Sequence, residues 1–159
     1  MDKQVTTIAQ LLLTRHETLS VAESCTGGLL GAACTALAGS SAWFNGGAIV
    51  YQNFLKEQLL KVPAYILENQ GAVSKECVNH MGIGANALFK THWSLSVSGI
   101  AGPSGGTPDK PVGLVYIGVC GPNYHLVSQN FFKGNRHEVR SQATHTAFTM
   151  LYTALTHSI

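Results

Sequence analysis

Residues 22–28 read Ala22-Glu23-Ser24-Cys25-Thr26-Gly27-Gly28 and join a predicted strand, 18–22, to a predicted helix from about 27 to 38. A strand that turns directly into a helix places short polar side chains beside the unpaired N–H groups of the first helical turn. Those N–H groups and the helix dipole favour anions and developing negative charge. The segment is therefore either a nucleophile resting on an anion-binding turn or a tight packing turn.

Outward from this turn, strands and helices alternate, and a pair of strands then precedes the last helix. The connection Gly121-Pro122-Asn123 is short enough to make that pair antiparallel. This order predicts an α/β fold, a three-layer α/β/α sandwich with a mixed, mostly parallel sheet and a C-terminal antiparallel hairpin. The second strand contains two glycines, and we expect it to be buried and closely packed. The predicted strands are 18–22, 46–51, 93–97, 112–120 and 124–132.

Capping residues mark three predicted helix starts. Ser74 precedes a helix that runs to about residue 90, and Asn53 precedes a helix over 54–60. Asn135 is followed three residues later by Glu138, which is the pattern of a capping box for the last helix.

The composition limits the class of protein. The chain has 159 residues, which fits a single domain spanning 1–159 with a sizeable core. Charged residues make up only 11% of it, against roughly 25% in average globular proteins. A surface so poor in charge predicts that part of it is covered in a homo-oligomer, a dimer or higher. The net charge of +2, with no run of Lys and Arg, argues against a nucleic-acid partner.

The four cysteines form no C-x-x-C pair, and the N-terminus lacks the layout of a signal peptide. No apolar run approaches the roughly 20 residues needed to cross a bilayer, so no membrane is expected as a partner. These features predict reduced thiols in a cytoplasmic protein. The seven histidines include no H-E-x-x-H motif and no tight His/Cys cluster, which argues against a protein-held metal.

Two residues of the opening turn are candidate nucleophiles. Ser24 needs a base, and because His137 is the only histidine near the predicted loops, Lys56 is the candidate. Lys56 lies about one helical turn after the second strand, and Tyr51 at that strand's end is positioned to relay a proton or hold the lysine. Cys25 is the rival, since helix N-termini lower the pKa of a thiol. By spacing alone, a helix-capping Ser24 and a solvated Lys56 remain the more common arrangement.

Charged residues flank the turn and begin the last predicted helix. Glu23 is positioned to orient the lysine, to bind a hydroxyl-bearing ligand, or only to supply favourable charge at a helix start. The helix dipole disfavours a positive charge at a helix start, where Arg136 lies. Its presence there indicates an anion, most naturally a phosphate, between its guanidinium and the helix N–H groups. Arg140 either reinforces that anion site or pairs near Glu138. The glycine-rich loop 99–106 allows close backbone approach to a ligand but fits no nucleotide-binding motif.

Six motifs occur in one order along nearly the whole chain, from about Val5 to Leu155. Together they resemble the CinA C-terminal domain family, the nicotinamide-nucleotide amidohydrolases (PncC). No single motif is specific, whereas the ordered set is. The motifs are Ala22-Glu23-Ser24-Cys25-Thr26-Gly27-Gly28, Gly39-Ser40-Ser41-Ala42-Trp43-Phe44, Gly71-Ala72-Val73-Ser74, Ser98-Gly99-Ile100-Ala101-Gly102-Pro103, Lys110-Pro111-Val112-Gly113 and Gly134-Asn135-Arg136.

The resemblance implies hydrolysis of the carboxamide of nicotinamide mononucleotide to nicotinate mononucleotide and ammonia, as part of pyridine nucleotide recycling. It also implies a serine–lysine amidase that uses neither metal nor cofactor, with Ser24, Lys56 and Tyr51 as catalytic residues. The alternative is a non-catalytic module of the CinA type that binds a nucleotide or a protein partner. The substrate-binding positions implied by the matching motifs are Thr26, Gly27, Gly28, Asn53, Ser98, Gly99 and Arg136.

The chain departs from the family pattern at two motifs. Tyr51-Gln52-Asn53-Phe54-Leu55-Lys56 stands where the family commonly has Tyr-Ser-Asn-Glu-Ala-Lys, which keeps Tyr, Asn and Lys in place on a more apolar surface. Gly134-Asn135-Arg136 has Asn where Asp is usual, and a helix cap accepts either residue.

Overall fold

The computed structural model describes residues 2–157, and Met1, Ser158 and Ile159, at the ends of the predicted 1–159 span, lie outside this description. The strands are β1 (Leu19–Glu23), β2 (Phe44–Ile49), β3 (Trp93–Gly99), β4 (Leu114–Gly121) and β5 (Tyr124–Phe131). The helices are α1 (Asp2–Arg15), α2 (Leu29–Thr35), α3 (Asn53–Leu60), α4 (Ala64–Asn69), α5 (Lys75–Phe89) and α6 (Arg136–His157), with a 3₁₀ turn at Ser40–Ala42.

The five strands form one mixed sheet in the order β2-β1-β3-β4-β5. β1 pairs in parallel with both β2 and β3. β4 pairs antiparallel with both β3 and β5. All strands except β4 therefore run in one direction, and β4 and β5 form the predicted C-terminal hairpin.

Two apolar cores lie on opposite faces of this sheet, which confirms the predicted three layers. Leu19 and Val21 of β1 belong to the core shared with α1, α2 and α6. Ala22 belongs to the core shared with α3, α4 and α5. Because side chains alternate along a strand, and the Ser24 N–H continues the ladder by donating to the Val97 carbonyl at 3.0 Å, Ser24 faces the same layer as Ala22.

Two of the three predicted helix caps are confirmed. The Ser74 hydroxyl accepts a hydrogen bond of 3.2 Å from the N–H of the third α5 residue. Asn135 and Glu138 exchange hydrogen bonds of 2.7 and 3.0 Å in the predicted capping box. The cap at Asn53 is wrong, because Gln52 has the extended backbone of an N-cap and the helix begins one residue earlier than expected.

The second strand differs from the buried strand predicted at 46–51. β2 lies at the sheet edge, and its residues alternate between partly buried and exposed. An edge strand has a neighbour on one side only, so its apolar residues do not guarantee burial. The expected close packing is present, since a Cβ at Gly47 would lie 2.3 Å from Val21 Cγ2.

Helix α3 rests on α5 through a close backbone contact. A Cβ at Gly84 of α5 would lie 2.0 Å from the carbonyl oxygen of Leu60, the last residue of α3. Leu60 itself is buried. The two helices can approach each other this closely only because residue 84 has no side chain.

Replacing Gly84 with alanine is expected to lower the free energy of unfolding by about 1–3 kcal/mol, because the added methyl group meets main-chain atoms that cannot move aside by a rotamer change. Thermal unfolding followed by circular dichroism measures this loss as a lower Tm.

The matched control is Gly31→Ala in α2, where the nearest atom to the new Cβ would be Glu23 Oε1 at 3.7 Å. Alanine is preferred over glycine in a helix by about 1 kcal/mol, so this variant should equal or exceed the stability of the wild type. Equal Tm values for the two variants would contradict the packing argument.

Candidate active site

The opening turn brings its serine onto a buried lysine. Lys56 Nζ donates to Ser24 Oγ at 3.2 Å and to the main-chain carbonyls of Val50 and Tyr51 at 2.6 and 3.3 Å. Only 1% of the Lys56 surface is exposed, so the alternative of a solvated lysine is wrong. The two residues that the sequence pairs as nucleophile and base are in direct contact.

Burial changes the acidity of this lysine. Desolvation lowers the pKa of Lys56 below its ordinary value of 10.5, and the thiols of Cys77 and Cys25 oppose this effect more weakly. A lysine with a lowered pKa loses its proton more readily and can then accept one from a hydroxyl.

The rival nucleophile, Cys25, has the opposite tendency. Burial raises the pKa of the Cys25 thiol to about 11, although a backbone hydrogen bond and the charge of Arg140 act to lower it. A thiol with such a pKa is protonated near neutral pH, and the thiolate is the reactive form. Ser24, in contact with the lysine, is the better placed of the two nucleophiles.

The carboxylate of Glu23 fills the start of α2. Its Oε2 atom accepts the Thr26 hydroxyl at 2.6 Å and the N–H groups of Gly28 and Leu30 at 3.0 and 3.2 Å. Its Oε1 atom accepts the Gly31 N–H at 2.9 Å. The helix start expected to receive an anion therefore holds the protein's own buried carboxylate, and the Thr26 side chain is used within the turn.

Two N–H groups of the turn bond to no other described residue, although the Cys25 main chain forms a hydrogen bond with the Cys25 thiol. In the described part of the chain, neither the Cys25 N–H nor the Thr26 N–H donates to another residue's main chain or side chain. The carbonyl groups of the same peptide units are both engaged. The Ser24 carbonyl accepts the Gly27 N–H at 3.1 Å, and the Cys25 carbonyl accepts Arg140 Nε at 3.0 Å.

Both glycines of the turn have left-handed backbone conformations, with φ of 60° at Gly27 and 105° at Gly28. These conformations favour glycine. A Cβ at Gly27 would also lie 3.2 Å from Arg140 Nη2, and one at Gly28 would lie 3.2 Å from Ile49 Cδ1. The glycines allow the turn to form and its neighbours to approach it.

Tyr51 meets the lysine with its carbonyl rather than with its phenol. The phenol oxygen accepts Arg136 Nη2 at 3.1 Å, and the side chain is 55% exposed. Arg136 Nη1 donates to the Gly102 carbonyl at 2.9 Å. Arg136 thus links the glycine-rich loop to Tyr51.

Ser98 lies beside Ser24 on the neighbouring strand. The parallel register pairs Ala22 with Ser96, and the bond from the Ser24 N–H to Val97 continues it. Ser98 is 1% exposed, and its hydroxyl forms no hydrogen bond with the residues that the structure describes. The register therefore places this buried hydroxyl on the strand next to Ser24.

Two other predicted substrate-binding residues serve different purposes in the described chain. A Cβ at Gly99 would lie 2.6 Å from Val115 Cγ2, so this glycine allows β3 to pack closely on β4. Asn53 is exposed in the first turn of α3, and its side chain bonds to none of the residues in 2–157.

Sequence reasoning missed one contact of the turn. Arg140 donates through Nε and Nη2 to the carbonyls of Cys25 and Thr26, at 3.0 and 2.9 Å. The positions joined by the first bond are 115 residues apart. No local pattern signals such a contact, because it depends on how α6 packs against the turn.

Two cavities lie away from the serine and lysine. One of about 520 Å³ is at the start of α6 and is lined by residues including His137 and Ser141. The other, of about 340 Å³, is an apolar groove between α3 and α5. Neither Ser24 nor Lys56 lines these cavities.

Within residues 2–157, no three side chains among His, Cys, Asp and Glu are grouped closely enough to hold a metal ion. No helix in this range combines the length and apolar character needed to span a membrane.

Solved structures share this fold. A CinA superfamily protein from Klebsiella pneumoniae superposes with a TM-score of 0.94 at 33% identity, over 98% of each chain. The competence/damage inducible protein CihA from Agrobacterium tumefaciens superposes with a TM-score of 0.87 at 36% identity, over 96% of each chain.

Sequence relatives and a family model agree with the structures. A CinA-like protein of Parasynechococcus marenigrum is 57% identical over 122 residues, which cover 77% of this chain and 29% of that protein. A CinA-like protein of Trichormus variabilis is 46% identical over 153 residues, which cover 94% of this chain and 37% of that protein. The chain thus spans about a third of the length of these curated relatives. The model of the CinA C-terminal domain matches residues 1–155, and the chain belongs to this family.

Proposed function

We propose that this chain hydrolyses the carboxamide of nicotinamide mononucleotide to nicotinate mononucleotide and ammonia. The observation that carries the proposal is a buried lysine amine with a lowered pKa, 3.2 Å from the hydroxyl of Ser24. Membership of the CinA family supports the choice of substrate. The relatives are named only as CinA-like or competence-damage proteins, so the activity is our inference.

The reaction begins when Ser24 Oγ attacks the carboxamide carbon and Lys56 Nζ accepts the serine proton. The lysine then returns this proton to the amide nitrogen, the C–N bond breaks, and ammonia leaves. The acyl group remains as an ester on Ser24. Water adds to this ester while Lys56 accepts its proton. Lys56 then gives this proton to Ser24 Oγ as the ester C–O bond breaks, which releases the carboxylic acid product and restores both residues.

Negative charge that develops on the carboxamide oxygen needs donors other than the start of α2, because Glu23 occupies that start. The available N–H groups of Cys25 and Thr26 follow Ser24 directly in the chain. Removing one oxyanion donor of this kind typically costs about 100- to 1000-fold in rate. The buried Ser98 hydroxyl is a further polar group for orienting the amide.

Arg136 is the proposed ligand of the nucleotide phosphate. Its guanidinium donates to two neutral acceptors, the Gly102 carbonyl and the Tyr51 phenol. A phosphate accepts stronger, charge-assisted hydrogen bonds from arginine than these groups do. In this proposal the Tyr51 carbonyl holds the lysine, and the phenol holds Arg136 at the rim of the site.

A second candidate is a module that binds a nucleotide without chemistry. The observation that favours it is that neither cavity described above is lined by Ser24 or Lys56. Calorimetric binding of nicotinamide mononucleotide, combined with an assay for released ammonia, separates the two candidates. Binding without ammonia release would favour the module.

Ser24→Ala and Lys56→Met should each lower the rate of ammonia release by about a thousandfold or more, because the nucleophile and its base act as one unit. Cys25→Ala should stay within a few-fold of the wild type, because alanine keeps the main-chain N–H. Steady-state ammonia assays on folded variants measure these rates. A Ser24→Ala enzyme with near-normal activity would remove the serine from the mechanism.

The rate should rise with pH, because only the neutral amine of Lys56 accepts the serine proton. Burial lowers the pKa of Lys56 from 10.5, so the midpoint of the rise in kcat/KM should lie below pH 10.5. A pH–rate profile with nicotinamide mononucleotide measures the midpoint. A profile that falls from neutral pH upward would contradict the base role.

The same pKa shift predicts how stability depends on pH. The unfolded chain keeps the Lys56 proton up to about pH 10.5, whereas the folded chain loses it earlier, so the free energy of unfolding rises with pH between the two pKa values. The Lys56→Met variant lacks this contribution. Urea denaturation should therefore show a wild-type-minus-variant stability that increases over this pH window, and a constant difference would rule out the lowered pKa.

Arg136→Gln should raise KM for nicotinamide mononucleotide by about 10- to 100-fold, since a hydrogen bond to a charged group contributes about 1.5–3 kcal/mol. Nicotinamide riboside, which lacks the phosphate, is the control substrate, and its KM should change little. Steady-state kinetics with both substrates make the comparison. An equal rise in KM for both substrates would show that Arg136 does not bind the phosphate.

A further inference from the structure

We infer that Arg140 is a positioning residue that aims the main-chain N–H of Thr26 at the oxyanion, an inference that rests on the proposed function. Arg140 Nε donates to the Cys25 carbonyl at 3.0 Å, and Nη2 donates to the Thr26 carbonyl at 2.9 Å. These bonds match neither role that the sequence suggested for Arg140, the support of an anion or a pairing near Glu138.

One planar peptide unit contains both the Cys25 carbonyl and the Thr26 N–H. In a trans peptide the C=O and the following N–H point to opposite sides of the chain. When Arg140 holds the Cys25 carbonyl, it therefore turns the Thr26 N–H to the opposite side of the chain. The Ser24–Cys25 unit is fixed differently, because its carbonyl accepts the Gly27 N–H inside the turn at 3.1 Å. Of the two available N–H groups, only that of Thr26 depends on a distant side chain.

The turn is held from two sides. Glu23 binds the Thr26 hydroxyl and the Gly28 N–H, which are donors. Arg140 binds two carbonyls, which are acceptors. Without the guanidinium, the Cys25–Thr26 peptide plane would lose its external partner, and the direction of its N–H would no longer be fixed.

The geometry requires arginine rather than any cation. A guanidinium presents donors in a rigid fork and can hold two carbonyls together, whereas an ammonium is a point donor on a flexible stem. The guanidinium fits closely against the turn because residue 27 is glycine, since a Cβ at Gly27 would lie 3.2 Å from Arg140 Nη2. The charge of Arg140 also reaches the turn, where it acts to lower the pKa of the Cys25 thiol against the larger effect of burial.

The test is the Arg140→Lys variant assayed with nicotinamide mononucleotide. It should lower kcat by about 10- to 100-fold, because a misdirected oxyanion donor weakens the transition state. KM should stay within about twofold, since the donor is not needed to bind the ground state. The midpoint of the pH–rate profile should not move, because Lys56 keeps all its contacts.

The matched control is Arg15→Lys. Arg15 Nη2 also donates to a main-chain carbonyl, that of Leu155. Among the described residues, neither Arg15 nor Leu155 forms a hydrogen bond with Ser24, Cys25 or Thr26, so kcat and KM should equal those of the wild type. A loss of kcat in this variant equal to that in Arg140→Lys would overturn the inference, because a general loss of rigidity would then explain both.

A second variant covers the case in which Arg140→Lys does not fold. Arg140→Gln keeps an amide donor without the charge, and it should show the same fall in kcat with KM unchanged. A wild-type kcat in either variant overturns the inference, and so does a raised KM with an unchanged kcat. Ser24→Ala in the same assay separates the two proposals. If it is active, the proposed function fails; if it is inactive while Arg140→Lys retains full kcat, only the role of Arg140 fails.

Discussion

The buried amine of Lys56, which bonds to no carboxylate among residues 2–157, is the constraint on which the site depends. Within this range Lys56 has three hydrogen-bonding partners, two carbonyls and one hydroxyl. A protonated amine would use all three as acceptors, at the desolvation cost that lowers its pKa. A neutral amine has two N–H donors, which suit the two carbonyls, and one lone pair, which suits the proton of Ser24. The partners therefore fit the form of lysine that a base requires.

The sheet topology supplies these partners from separate parts of the chain. Because β1, β2 and β3 are parallel neighbours, their carboxyl ends meet at one edge, where sites of open α/β sheets form. Ser24 follows β1, the carbonyls of Val50 and Tyr51 follow β2, and Ser98 lies at the end of β3. Helix α3 places Lys56 over this edge. The close approach of α3 to α5 depends on the glycine at position 84.

The sequence predicts those features that depend on local patterns. The hairpin and the capping box at Asn135 follow from turns and caps. The order of strands makes Ser24 and Lys56 a candidate pair, but spacing alone favours a solvated lysine, and both the pairing and the proposed activity depend on the family resemblance. The direction of the Tyr51 phenol, the exposure of β2 and the contacts of Arg140 were not predictable, because each depends on which distant element packs alongside.

Glu23 determines which N–H groups of the turn at residues 22–28 can bind an anion. An open helix start attracts any anion, including the carboxylate product of the proposed reaction. Catalysis gains from groups that bind the transition state more tightly than the ground state or the product. By filling the start of α2 with its own carboxylate, the chain removes the general anion site and leaves two N–H groups beside Ser24. In the proposed mechanism these donors meet full negative charge only when the serine has attacked, which is when the barrier is set.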